Sequence, residues 1–242
     1  MSRTAVGFLI LVTLLIGGTL YARHELRVKY APRLPAAVAA PAPGTSPLDR
    51  VLTPQQVAAF TNATGALARL EYFDALPLSK AVPPARTACA ALDPAVPLLA
   101  ALRDTCEPEL RIAAPARRAR SLCPNEARWR ACVKTLHIRA DALRSIAQAQ
   151  RSYARVVHRA MPPGDCRWEI SPVHDVVVAF EANARATDQY AAAVAAHDNA
   201  AEKRARARIS DAADISDDDL VYDRRRTIAK ACHLPAWAFD AR

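Results

Sequence analysis

PNEARWRACVKTLHIRADALRSIAQAQRSYARVVHRAM, residues 124–161, is the stretch whose reading decides the fold. Residues Trp129, Leu136, Leu143, Gln150 and Val157 fall seven apart. Cys132, Ile146, Tyr153 and Ala160 make a second row, and Val133, Ala140, Ala147, Ala154 and Met161 a third. Such rows predict one helix from Pro124 to about Met161 with a continuous buried stripe, the pattern of an antiparallel bundle. At about 100° per residue, Arg130, Lys134, His137, Arg144, Arg151, Arg155 and Arg159 collect on the far side within roughly a quarter turn. That basic stripe reads first as a solvated outer face, and second as a surface for anionic partners carried by Arg130, Lys134, Arg144, Arg151, Arg155 and Arg159.

Downstream, MPPGDCRWEIS (residues 161–171) turns the chain back. A second long helix is expected with Ser171 as N-cap and Pro172 at N1, antiparallel to the first, its seam marked by Val173, Phe180, Thr187, Val194 and Ala201 and widened by Val177, Ala184 and Ala191. By residues 202–208 every face is polar, so its last turns are expected to project. The Asp-rich run 210–219 lacks the central glycine of a calcium loop and reads as capping, with Ser216 and Asp219 opening a last helix that ends near Cys232. Trp237 and Phe239 are expected to tuck against the bundle.

Upstream, six prolines break residues 83–122, so short helices are expected at 85–92, 96–105 and 110–121. Thr53, Pro54 and Gln56 spell a capping-box start for a helix to about Leu76 with Val57, Phe60, Thr61, Thr64, Leu67 and Ala68 inward. Glu71 and Asp74 near its end read as a solvated helix end rather than a catalytic carboxylate pair. Residues 31–47 hold five prolines in seventeen positions and form a linker reaching about 50 Å in an extended form.

Before the linker, Ala5 to Tyr21 is uncharged, AVGFLILVTLLIGGTLY, long enough to cross a bilayer with little tilt. The expected organisation is a short tail (1–4), a signal anchor (5–22) that inserts in the lipid bilayer, a juxtamembrane segment and Pro/Ala-rich linker (23–47), and a helical-bundle domain (48–242). Arg23, Arg27, Lys29 and Arg33 follow the span and only Arg3 precedes it, which by the positive-inside rule argues for a cytoplasmic domain. An even cysteine count, the signal-like order of basic residue and apolar core, and the proline-rich linker argue for an extracytoplasmic one, and that is the expectation. Secretion after cleavage is the alternative to anchoring.

Composition agrees with an all-α class: a transmembrane helix, a linker, then a bundle of two long antiparallel helices and short disulfide-stapled ones. Beyond Gly44 only Gly65 and Gly164 supply easy positive φ, which disfavours tight hairpins. The net charge is +9, and residues 111–160 alone carry twelve Arg or Lys against two acids. In the cell envelope such an excess selects anionic lipid or wall polymer; nucleic acid becomes a partner only if the domain is cytoplasmic.

Six cysteines admit fifteen pairings. With a helix starting at Pro124, Cys123 and Cys132 stand about 13 Å apart along the axis, beyond disulfide reach. That leaves a nested set: Cys106 with Cys123, Cys89 with Cys132, and by elimination Cys166 with Cys232. The sequence holds no HExxH, CxxC, P-loop or dinucleotide glycine pattern and so designates no catalytic, cofactor or metal residue. Its functional reading is an envelope interaction or structural protein, then a peripheral binder of anionic material, then an envelope hydrolase.

Overall fold

The computed structural model describes residues 46–71, 78–214 and 227–234. The expected anchor, most of the linker, Asp74, Ser216, Asp219, Trp237 and Phe239 lie outside them. Every regular element among the described residues is helical, joined by three disulfides.

Ser46 opens the described chain by accepting from the Leu48 amide at 3.2 Å, and a short 3-10 turn drives Leu48 into the core. Helix α1 (Pro54–Glu71) starts as its sequence spells: Thr53 N–H donates to Gln56 Oε1 at 2.9 Å, and Gln56 N–H returns to Thr53 Oγ1 at 3.4 Å. Its face of Val57, Phe60, Thr61 and Leu67 is buried.

Helices α2 (Leu78–Ala90) and α3 (Pro97–Leu122) correct the expectation of short broken pieces. Pro83 and Pro84 lie inside α2, and Pro108 and Pro115 inside α3. Each interior proline forfeits a backbone hydrogen bond at a cost of about 3 kcal/mol. Packing of Leu98, Leu99, Leu102, Cys106, Ala113 and Leu122 along 26 residues offsets that, and Pro108 is itself buried.

Residues 124–128 do not join the long helix. Asn125 Oδ1 accepts from the Ala127 amide at 3.0 Å and caps a 3-10 turn, so α4 runs Trp129–Ala160, five residues later than expected. It packs against α3 on one side and α6 (His174–Ala196) on the other, which explains why its buried set (Leu136, Ala140, Leu143, Ile146 and Val157, with Thr135 and Ala142) is wider than one stripe. Between them a short α5 (Asp165–Ile170) starts at Gly164, whose φ of 149° suits glycine alone. Ser171 does not cap α6; its hydroxyl lies 3.3 Å from His158 Nε2, and Val173 occupies the N-cap position.

The second long helix stops short of its expected end. His197 adopts the left-handed conformation (φ 54°), His197 N–H reaches Val194 O at 3.2 Å and Asp198 N–H reaches Ala193 O at 3.0 Å, a Schellman closure without glycine. Asp198 then caps α7 (Asn199–Asp214) through the Ala201 amide, and α7 folds back on α6, burying Ala205 and Ala212 instead of projecting.

Two cores result. One joins Leu48, α1, α2, the first half of α3, the end of α4, α5 and the turn around Cys232. The other joins Ala119, Leu122, Cys132, Leu136, Tyr190, Ala191, Val194 and Ala205. The cross-links follow this division and correct the nested pairing. Cys89 bonds Cys106 across α2 and α3, with Cα atoms 6.1 Å apart, and Cys123 bonds Cys132 at 4.9 Å because the turn before Trp129 removes the assumed axial rise. Cys166 bonds Cys232, the pair expected by elimination.

Candidate functional site

The basic face of α4 is built by the geometry that buries its other side, but its six cations are not equivalent. Arg144 pairs with Asp141 at 2.7 Å and with Asp188 of α6, and His137 Nδ1 lies 3.2 Å from the same Asp188. One heptad on, Arg151 donates to Glu181 at 2.6 Å. That hydrogen bond holds the Glu181 carboxyl below its ordinary range, with burial opposing, and raises Arg151. Arg144 and Arg151 are therefore interhelical clamps, half exposed at their side chains.

The remaining four pair with no carboxylate among the described residues. Arg155 donates to Ser152 Oγ at 3.1 Å, and Arg159 Nε to the Arg155 carbonyl at 3.2 Å. Arg130 lies over the Trp129 ring at 5.2 Å, and Trp129 meets His197 edge-on at 5.3 Å. Lys134 follows one turn later, exposed. Trp129, Arg130, Val133, Lys134, His137, Ile138 and Asp141 border an open depression of ≈ 480 Å³ on this half of α4, and Ile138 is 48% exposed.

Charge follows the two cores. The segments around the second core, 111–141 and 185–208, carry thirteen Arg or Lys against five Asp or Glu. The other described residues carry eleven against twelve. The net positive charge of the described residues therefore sits on one lobe, the one built on the second core.

Sequence patterning passed over two features. Trp168 is 63% exposed because Cys166 and Ile170 both point into the core, and a residue two positions from each on a helix must face outward. It meets His158 at 4.8 Å, and Arg167 donates to His158 Nδ1 at 3.1 and 2.8 Å. Since guanidinium only donates, Nδ1 accepts and the ring proton sits on Nε2, facing Ser171. The other is Arg139, whose Nε is buried without a partner while one Nη reaches Asn183 Oδ1 at 3.5 Å. Burial, reinforced by Arg120, depresses its pKa from the usual arginine value. The signal for Trp168 was present in DCRWEI once Cys166 is fixed inward; Arg139 had none.

Among the described residues no three His, Cys, Asp or Glu side chains converge as metal ligands, and no helix is long and apolar enough to cross a membrane. No family model matches the chain, and neither a curated protein nor a solved structure matches it.

Proposed function

We propose that this chain is a single-pass, membrane-anchored protein whose disulfide-stapled helical domain lies outside the cytoplasm and presents a binding surface there. The observation that carries the reading is the cysteine inventory: all six are paired and none is free. Three cross-links in one domain belong to an oxidising compartment. The uncharged run 5–21 and the proline-rich linker supply the tether. A C-terminal alkaline phosphatase fusion tests the topology: an active enzyme, with the matching fluorescent fusion dark, is expected. The opposite pattern would overturn the proposal.

A second reading, peripheral binding of anionic lipid or wall polymer, is favoured by one specific observation. Arg130, Lys134, Arg155 and Arg159 stand on the outer face of α4 without a carboxylate partner among the described residues.

A further inference from the structure

We infer that the basic lobe around the second core is the docking surface for a linear acidic glycan, seated along the outer face of α4 from Trp129 to Ile138. The inference rests on the extracytoplasmic reading for the class of polyanion available.

Three observations converge. The charge is segregated: the lobe built from 111–141 and 185–208 holds thirteen cationic side chains against five anionic, while the rest of the described chain is balanced. A field of one sign over one lobe draws polyanions and orients them on encounter. Second, the lobe is built on a different core from the one at which the described chain begins: Leu48 belongs to the first core, whereas Leu122, Cys132, Leu136 and Tyr190 form the second.

Third, the face is of mixed chemistry. Trp129, Val133 and Ile138 supply apolar surface beside Arg130 and Lys134, with Asp141 also on the rim and Arg128 just before Trp129; the three cations are exposed and have no carboxylate partner among the described residues. Sugar rings offer apolar C–H faces between anionic substituents, so alternate apolar and cationic contacts along one helix fit such a chain better than they fit a bare phosphate. Arg144, further along α4, is already committed to Asp141 and Asp188 and marks the end of the seat.

The test uses the full-length chain in neutral detergent, with polygalacturonate as probe, neutral dextran as control, and vesicles containing 30% phosphatidylglycerol as the competing surface. Binding to polygalacturonate should weaken steeply as salt shortens the screening length from about 8 Å to about 3 Å. Combined Arg128→Gln, Arg130→Gln and Lys134→Gln should reduce affinity roughly a hundredfold, taking each cation near an anionic surface at about fivefold. Lys80→Gln with Arg86→Gln, both exposed on α2 in the neutral lobe, should leave it unchanged. Circular dichroism checks that both variants keep their helices. No binding, equal loss in both variants, or preferential binding to the vesicles would each overturn the inference. Failure of the parent reading looks different: a cytoplasmic domain in the fusion assay, with the triple variant still losing its polyanion, removes the glycan as partner and leaves nucleic acid on the same lobe.

Discussion

Arg151 and Glu181 join α4 to α6 at 2.6 Å, and one heptad away Arg144 meets Asp188. The residue numbers of each pair sum to the same value, as they must for two antiparallel helices held in a single register. This ladder turns part of what looks like a binding stripe into a packing device. One heptad further the clamp ends, because His158 takes Arg167 and Ser171 as its partners instead.

Charge reversal should therefore separate the two roles. Arg144→Glu with Arg151→Glu sets like charges against Asp188 and Glu181 and should lower the melting temperature measurably. Arg155→Glu with Arg159→Glu should leave it nearly unchanged. Equal melting temperatures for the two double variants would contradict the ladder.

The Arg151–Glu181 coupling should also depend on pH and salt. Glu181 has a depressed carboxyl pKa in the folded state, so its contribution is present above the unfolded value of about 4.3 and is lost as pH falls through the lower folded one. Arg151 is raised and stays charged throughout that window. A double-mutant cycle should show coupling at pH 7 that vanishes at pH 2 and shrinks in 0.5 M salt, since the pair is exposed. Coupling that persists in acid would mean the contact is not ionic.

Arg139 offers a stability gain. Its guanidinium is desolvated, lies near Arg120, and keeps an unpartnered Nε, so folding works against its charge at neutral pH. Arg139→Met should be neutral or stabilising by about 1 kcal/mol, as when buried ionic groups are exchanged for apolar ones of similar volume. A loss above about 2 kcal/mol in a denaturant titration would show that the Asn183 contact matters more than the burial penalty.

The three disulfides should rank by the loop each closes. Cys166–Cys232 spans 66 residues, Cys89–Cys106 spans 17 and Cys123–Cys132 spans 9. On a chain-entropy model, removing both cysteines of each pair costs roughly 4, 3 and 2.5 kcal/mol respectively. Chemical denaturation of the three double-Ala variants checks the order; a larger loss at Cys123–Cys132 than at Cys166–Cys232 would refute it.

How far the sequence carried this account depended on the range of the interaction. The Thr53–Gln56 capping box and the rows of α4 were legible because they are local and repeat at helical spacing. Continuation through Pro108 and Pro115 was not, because local rules count the lost hydrogen bond but not the core on the helix's other side. The stop at His197 was hidden for a related reason: the left-handed closing position, normally flagged by glycine, holds histidine. The start of α4 mattered most. Taking Pro124 as its first residue separated Cys123 from Cys132 and forced the nested pairing, whereas the Asn125 cap brings them together. At the candidate site the cations of α4 were legible, but the acids that claim Arg144 and Arg151 come from α6, and no pattern within α4 could name them.

The most direct measurement of the central claim is the thiol state of the six cysteines in the native compartment. Intact cells would be alkylated before lysis and the chain digested without reduction. No alkylated cysteine is expected, and three cross-linked peptide pairs should be recovered, Cys89–Cys106, Cys123–Cys132 and Cys166–Cys232. Six alkylated thiols would contradict it, removing both the staples and the extracytoplasmic reading built on them.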